Sequence, residues 1–503
     1  MNVPSPADHT EDATAMVDGL REPRLASVWD LDGTLVSTDT FVESVGTILT
    51  RRPWLIPSLF LWLFRGRRYC KGMVAAVAAV PPSTWPVRPE AAALLRQMRH
   101  SGRLTVLATA AHRTVAEGIA SHLGCFDAVL ASDERVNLKG ATKLSAIQSF
   151  IAAHGLDGFA YAGDSYADMQ VWRGASEVIV VAPTPHFESH VRRLGKPTIV
   201  LGKASSRLHA VWKACRPHQW AKNLLLFIPM LLAHKLDVAT LGTVLAAFVS
   251  FSLCASGVYI LNDIGDMAAD RSHPKKRLRP LAAGTLSVAT GLQLAMVLLV
   301  SAVAIAGAGI PPPFIVLIMV YVFANYLYSG LCKQVPILDV MTLACFYALR
   351  LEAGAVAAAV PLSPWMLTFA LFFFTSLAFS KRYTELRRLR DRDGLRVAGR
   401  GYFVDDIELV EQLGVASGYV SVLVLALYMN SPEMRAIYGD SRILWLICPI
   451  VLYWITRLWL LARRGRLDDD PVVFALKDRQ SLGLAATSAA LVLLSTWLSG
   501  AAR

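Results

Sequence analysis

Apolar residues are spread unevenly along the 503-residue chain. Up to about residue 202, apolar runs of strand length alternate with stretches whose apolar positions recur at three- and four-residue intervals, the mixed pattern of an α/β domain. After Asn223 the runs lengthen to about twenty residues, enough to cross a bilayer as helices. Nine spans are expected, at about 221–235, 240–261, 286–307, 312–330, 336–357, 364–381, 411–430, 442–462 and 481–500. The pattern thus predicts a polar, disordered tail (1–24), an α/β domain (25–203) and an all-α membrane domain (204–503).

Composition agrees, since 54% of residues are hydrophobic, above the usual range for soluble proteins. The seven cysteines are odd in number, scattered and without CxxC pairing, so neither a disulfide framework nor a zinc site is indicated. The tail lacks the basic and apolar regions of a secretory signal, so the α/β domain is expected to stay on the side where it is made.

Charge then orients the spans. Arg271, Lys275, Lys276, Arg277 and Arg279 follow the second span, Lys333 the fourth, "SKRYTELRRLRDRDGLRVAGR" the sixth and "ARRGRLDDDPVVFALKDRQ" the eighth. The alternate loops hold only Lys235, Arg435 and Arg442, so the positive-inside rule places the charged loops and the α/β domain in the cytoplasm and the carboxyl terminus outside. An inner-membrane, multi-pass protein is expected, with no nucleic-acid partner.

In "ASVWDLDGTL" a short β-type run ends in a polar turn carrying Asp30 and Asp32, with Gly33 letting the backbone approach a phosphate and Thr34 offering a hydroxyl. Such a pair suits an aspartate nucleophile assisted by a second carboxyl that handles the leaving-group proton. Three further elements follow: "LTVLATA" ending near Thr109, "NLKGATKLSAI" with Lys143 opening a helix, and "FAYAGDSYADMQVW" with Asp164, Ser165 and Asp168. Thr109 and Lys143 suit phosphoryl oxygens, Lys139 competes for the Lys143 role, and Asp164 with Asp30 suits Mg²⁺.

These four elements, in this order, resemble the haloacid dehalogenase (HAD) superfamily over about residues 25–200. The resemblance implies a Rossmann-like sheet, an aspartyl-phosphate intermediate, Mg²⁺ held among Asp30, Asp32, Asp164 and Asp168, and a helical cap at about 40–100. Within that insert, Trp54 to Phe64 is apolar but too short to span, and reads either as a membrane-interface segment beside a basic run or as a buried cap helix.

In the membrane domain, "NDIGDMAAD" places Asn262, Asp263, Asp266 and Asp270 at the end of the second span, the aspartates three and four residues apart on one helical face. Carboxylates clustered at membrane depth are costly unless a cation or another charge meets them. The motif resembles the first motif of the UbiA superfamily of intramembrane prenyltransferases, which implies a Mg²⁺-bound diphosphate at Asp263, Asp266 and Asp270. The DxxxD pair that ordinary members carry in the 6–7 loop is missing, for Lys381, Arg382, Tyr383 and Glu385 stand there, and Asp391 and Asp393 lie too close together.

"RPHQWAKNLLLFIP", "HPKKRLRPLAAG", "YSGLCKQVPILD", Arg350 and "SKRYTEL" are instead similar to the branch that contains polyprenyl-phosphate phosphoribosyltransferase. That resemblance implies phosphoribosyl pyrophosphate as donor and a polyprenyl phosphate lipid as acceptor. Lys222, Asn262, Arg277, Lys333, Arg350, Lys381 and Arg382 are then expected to contact these anions, and the fused phosphatase to remove the 5-phosphate afterwards. The alternative is a prenyltransferase using an isoprenyl diphosphate, fused to a phosphatase of unrelated specificity. Chain length of the lipid and oligomeric state are not legible in the sequence.

Overall fold

A computed structural model of the chain describes residues 24–134, 136–203, 206–273, 275–391, 400–438, 442–467 and 470–501. The tail, Asp393 and two of the three aspartates after Leu467 lie outside the described residues. The chain divides into two compact units, one comprising residues up to Val211 together with Ile264–Thr290, the other Trp212–Asp263 together with Gly291–Arg503.

The first unit is built on six strands, β1 (Leu25–Trp29), β2 (Thr105–His112), β3 (Ala128–Ser132), β4 (Gly158–Gly163), β5 (Glu177–Val181) and β6 (Thr198–Leu201). They form one parallel sheet in the order β3-β2-β1-β4-β5-β6. Alternate strand residues feed opposite faces: Trp29, Leu107, Ala160 and Ile179 join one apolar cluster, Val28, Val106, Tyr161 and Val178 the other. A sheet covered on both faces needs near-continuous apolar strands, which explains runs such as "LASVW". Chain order reverses between β1 and β4, so the crevice beyond their carboxyl ends is the place where such a sheet binds its ligands.

Between β1 and β2 lie three helices, Thr40–Arg51, Ile56–Phe64 and Arg67–Ala78, which share a small cluster of Ile48, Trp62, Cys70 and Val74. The next helix, Pro89–His100, packs Ala91, Leu95 and Met98 on the sheet instead. The loop after the aspartate helix belongs to this unit too. Arg271 donates to both oxygens of Glu43, at 2.5 and 2.9 Å, and to the carbonyls of Thr84 and Ala282. This buried pair gives Arg271 a packing role beyond the topology its charge suggests.

The second unit is helical. Among the described residues, seven helices are long and apolar enough to cross a membrane: Val238–Ser272, Val288–Gly307, Pro313–Gly330, Leu338–Ala358, Val404–Met429, Arg442–Arg463 and Arg479–Leu498. The expected count of nine is not met. Residues 221–232 fall instead in a 3₁₀ stretch, Pro217–Phe227, and a five-residue helix, Ile228–Leu232, where Pro229 lacks the N–H that would continue an α-helical ladder from the preceding segment. The expected sixth span lies in the helix Pro364–Arg390, whose apolar part ends at Lys381 and Arg382.

Candidate active sites

Asp30 follows β1 directly, and its backbone N–H donates to Ala162 O of β4 (3.0 Å), fixing it at the switch point of the sheet. Its Oδ1 accepts from the Leu31 N–H (2.8 Å) and its Oδ2 lies 2.9 Å from the Lys143 ammonium. Lys143 comes from the first turn of the helix Ala141–Ala153, which starts after Gly140 (φ 56°). The same ammonium donates to the Tyr161 hydroxyl (2.9 Å), which donates to Asp168 Oδ1 (2.8 Å). Lys139 is exposed.

Asp32 accepts from the Thr40 N–H (2.8 Å), so the loop carrying the pair is closed by the first helix of the insert. Gly33 has φ 76°, and a Cβ there would overlap the Asp164 carboxylate, so only glycine lets these carboxylates approach. Arg88 donates to Gly33 O (3.1 Å) and faces Asp164 electrostatically. Thr109 accepts from the Ala111 N–H (3.0 Å), while the buried Thr34 hydroxyl has no partner among the described residues. Asp168 Oδ2 accepts from the Asp164 and Ser165 N–H groups and the Ser165 hydroxyl, each at 3.2 Å. Both oxygens of Asp168 are therefore engaged by the protein.

Crowding shapes the acidities. Burial pushes Asp30 up while the Lys143 charge opposes it. Burial and the charges of Asp39 and Asp30 push Asp32 up to about 7. Burial and the charges of Asp168 and Asp30 push Asp164 up to about 7, against Arg88. Carboxylates that raise one another in this way, around a glycine cradle with a spare hydroxyl, are hard-oxygen groups whose mutual repulsion a divalent cation would relieve.

In the second unit, Lys222 forms an ion pair with Asp470, which also accepts from the N–H groups of Val472 and Val473. Lys381 lies within electrostatic reach of both and has no ion-pair partner among the described residues. Arg382, 1% exposed, faces Asp339 and Glu385, yet its Nη2 has no hydrogen-bond partner among the described residues. Asp339 is fully buried and accepts from Tyr402 (2.7 Å) and Arg400 (3.2 Å). Arg350 donates to Asn223 Oδ1 (2.9 Å), Phe346 O (2.7 Å) and the Tyr321 hydroxyl (3.3 Å). Its guanidinium also lies over the rings of Phe251, Tyr321 and Tyr347.

A cavity of about 410 Å³ lies beside this cluster, lined by Leu225, Leu351, Phe374, Leu377, Trp454 and Val472 among others. Leu225 is three residues from Lys222, Leu377 one helical turn before Lys381, and Val472 two residues beyond Asp470. Lys222 and Lys381 thus lie within a few residues, along the chain, of residues that line the apolar cavity.

The helix Val238–Ser272 carries Asn262 and all three aspartates in one unbroken run. In the second unit, Asp263 pairs with Arg216 and Asn262 Oδ1 accepts from Ser329 (2.9 Å). In the first, Asp270 pairs with Arg279 at 2.6 Å, Asp266 is half-buried, and Arg277 is exposed. Lys333 sits half-buried in the 3₁₀ turn Cys332–Gln334 of the second unit. Among the described residues, no three His, Cys, Asp or Glu side chains gather at metal-ligating range.

Residues 224–498 match the model of the UbiA prenyltransferase family, more than half of the chain. The chain belongs to that family. This UbiA-family protein also carries a segment, residues 27–173, that matches the haloacid dehalogenase-like hydrolases. It is 36% identical to the protein y4nM of Sinorhizobium fredii over 463 residues, covering 91% of this chain and 88% of the relative. It is 35% identical to nodulation protein NoeC of Azorhizobium caulinodans over 271 residues, 54% of this chain and 88% of that one. It is 38% identical to decaprenyl-phosphate phosphoribosyltransferase of Mycobacterium tuberculosis over 205 residues, 40% of this chain and 67% of the relative. The protein is thus a multi-pass membrane enzyme joining a UbiA transferase domain to a HAD hydrolase domain.

Tyr161, Arg88, Asp339, Arg400, Tyr402 and Asp470 are the participants that sequence reasoning does not single out as functional. Tyr161 alternates with apolar neighbours on β4 and reads as core. Asp339 ends the quoted stretch "YSGLCKQVPILD", where its charge at the head of a span is the available signal.

Proposed function

We propose that the UbiA domain transfers 5-phosphoribose from phosphoribosyl pyrophosphate to a polyprenyl phosphate, and that the HAD domain then removes the 5-phosphate to leave a polyprenyl-phosphoryl ribose. The observation that carries this reading is the group of cations Lys222, Lys381 and Arg382, two of which follow or precede by a few residues the lining of the apolar cavity. An acceptor with a long hydrocarbon tail and an anionic head matches an apolar cavity together with cations on the segments that line it. Two anionic substrates repel each other, and cations with unused donors, Lys381 and Arg382 Nη2, suit that need better than a second pair of aspartates would. The similarity to decaprenyl-phosphate phosphoribosyltransferase supports the same donor and acceptor.

Asp263, Asp266 and Asp270 would hold Mg²⁺ in the transferase, where it would neutralise the departing pyrophosphate. Arg216 and Arg279 pair with Asp263 and Asp270. Asn262, Arg277 and Lys333 are further candidates for donor contacts, and Arg350 braces the helices behind the site.

In the HAD domain, Asp30 is the nucleophile, aligned by Lys143 and the Leu31 N–H. Asp32, with its carboxyl near half-protonation at neutral pH, gives a proton to the leaving hydroxyl and later takes one from water. Thr34 and Thr109 supply hydroxyls to phosphoryl oxygens. Asp30 and Asp164 would hold Mg²⁺, which would offset the charge of the incoming phosphate, Asp32 would keep its carboxyl for the proton, and Asp168 would stand behind them as an orienting group. The two reactions sharing one chain would raise the effective concentration of the lipid intermediate at the second site. The charged loops and the HAD domain would lie in the cytoplasm.

The test is to reconstitute the full chain in vesicles with polyprenyl phosphate and labelled phosphoribosyl pyrophosphate and to weigh the lipid product. A pentose-bearing lipid supports the reading. Release of pyrophosphate from an isoprenyl diphosphate, with no pentose on any lipid, would replace it with the prenyltransferase alternative.

A further inference from the structure

The short helix Ile56–Phe64 in the HAD insert is apolar on two sides, and only one of them is packed. Leu55, Leu59 and Trp62 turn inward to the cluster with Ile48, Cys70 and Val74. On the other side Trp54 is 69% exposed, Phe60 62%, Leu61 58%, Leu63 54% and Phe64 89%. A domain stabilised in water would not keep five large apolar side chains out of its core within eleven consecutive positions, residues 54–64. The helix has nine residues, too few to cross a bilayer.

The charges around it have one sign. Between Glu43 and Glu90 the sequence contains no Asp or Glu, while Arg52, Arg65, Arg67 and Arg68 border the apolar face and are exposed. Arg65 also donates to the Tyr69 hydroxyl (3.3 Å) and lies over its ring, an aromatic and cationic pair suited to a headgroup layer. A protein partner could supply acidic side chains at a few points, but a 46-residue interval without any acid is matched best by a continuous anionic surface. The chain itself carries helices that cross a membrane, so a bilayer is always within its reach.

We infer that residues 54–68 form a monotopic membrane foot: Trp54, Phe60, Leu61 and Phe64 enter the acyl boundary of an anionic leaflet, and Arg52, Arg65, Arg67 and Arg68 lie among its phosphates. The foot would hold the phosphatase site at the level of headgroup-linked substrates. It is independent of which reactions the two domains catalyse.

The test places a photoreactive benzoyl-phenylalanine at Phe60 or Phe64, or at the exposed Ser189 as control, in the full chain reconstituted in vesicles containing phosphatidylglycerol. Because these positions are exposed, the replacements leave packing intact, which the melting curve checks. After irradiation, lipid adducts at Phe60 and Phe64 should exceed those at Ser189 by roughly tenfold. Replacing phosphatidylglycerol with phosphatidylcholine should lower them by about fivefold or more. Adducts to a second copy of the chain or to another protein, or yields no higher than the control, would overturn the foot. Equal yields in both vesicle types would overturn its preference for an anionic leaflet.

Discussion

The Lys143 ammonium lies 2.9 Å from Asp30 Oδ2 and donates over the same distance to the Tyr161 hydroxyl, so a buried tyrosine holds the cation that faces Asp30. Burial, with the charges of Asp30 and Asp168, pushes the Tyr161 hydroxyl far up, so it keeps its proton and donates it to Asp168. Replacing Tyr161 by Phe keeps the ring in the core but strands one acceptor on Asp168 and one donor on Lys143. Each such loss costs about 1–3 kcal/mol, so phosphate-ester hydrolysis should fall by roughly ten- to a hundredfold. Formation of the lipid product by the UbiA domain should persist. Steady-state hydrolysis beside product analysis of the same sample checks both halves, and an unchanged hydrolysis rate would remove Tyr161 from the site.

The acidities of Asp32 and Asp164 predict how the phosphatase depends on pH and on Mg²⁺. Both carboxyls are raised from an ordinary 3.8 to about 7, so near neutral pH a proton competes with a divalent cation for Asp164, while Asp32 carries the proton it would give. Lowering the pH from about 8 to about 6 should raise the Mg²⁺ concentration needed for half-maximal hydrolysis by at least about tenfold. The stability effect has the matching sign. A carboxyl whose folded pKa exceeds its unfolded one costs nothing below the unfolded value, and the cost grows as pH rises and is complete above the folded value. In chelator the HAD transition should therefore weaken as pH rises from about 4 to about 7, and Mg²⁺ should raise its melting temperature more at the alkaline end. Calorimetry across that window decides it, and a Mg²⁺ shift independent of pH would exclude Asp164 as a ligand.

Lys381 and Asp339 should respond oppositely in stability and activity. Asp339 is fully buried against Arg382, Arg400 and Tyr402, so Asp339→Asn leaves two cations with too little counter-charge. Breaking such a buried pair costs about 3–5 kcal/mol, and detergent-extracted protein should melt markedly earlier. Lys381→Met removes a charge that lacks an ion-pair partner among the described residues and keeps most of its aliphatic volume. It should melt as wild type and yet lose transfer, with the apparent affinity for polyprenyl phosphate weakened. Loss of stability in Lys381→Met would make that lysine structural.

The parts of these sites written by strand-end spacing are legible in the sequence. Asp30 and Asp164 close adjacent strands, and the apolar run before each fixes where its side chain emerges. Tyr161 is hidden because a strand tyrosine between apolar neighbours is indistinguishable from core until its hydroxyl is seen between Lys143 and Asp168. A cation within a span signals that something polar faces it; for Arg350 the Phe346 carbonyl lies one turn back on its own helix, but Asn223 and Tyr321 come from two other helical segments that no local spacing links. Residues 221–235 are not among the membrane-length helices, because hydropathy averages over Pro229 while the α-helical ladder breaks there. Arg271 illustrates the reverse case, where a charge assigned to topology proves to be buried against Glu43, far away in sequence.

The order of the two reactions is tested by Asp30→Asn. The amide keeps the size of the carboxylate and can still accept from the Leu31 N–H, so the β1 turn should survive. It cannot act as the nucleophile, and it removes the charge that Lys143 opposes. Asp263, Asp266 and Asp270 are untouched, so phosphoribosyl pyrophosphate and polyprenyl phosphate should still be consumed. The variant should accumulate a lipid bearing phosphoribose, whereas wild type should release phosphate and finish with a lipid bearing ribose. The two products differ by one phosphate group, which separates them in mass and on anion exchange. Adding back separately prepared protein carrying Asp266→Ala, whose HAD site is intact, should convert the accumulated lipid, because that copy lacks only the transferase. Identical lipids from Asp30→Asn and wild type would uncouple the domains, and failure of the added copy to act would confine the second step to the chain that performed the first.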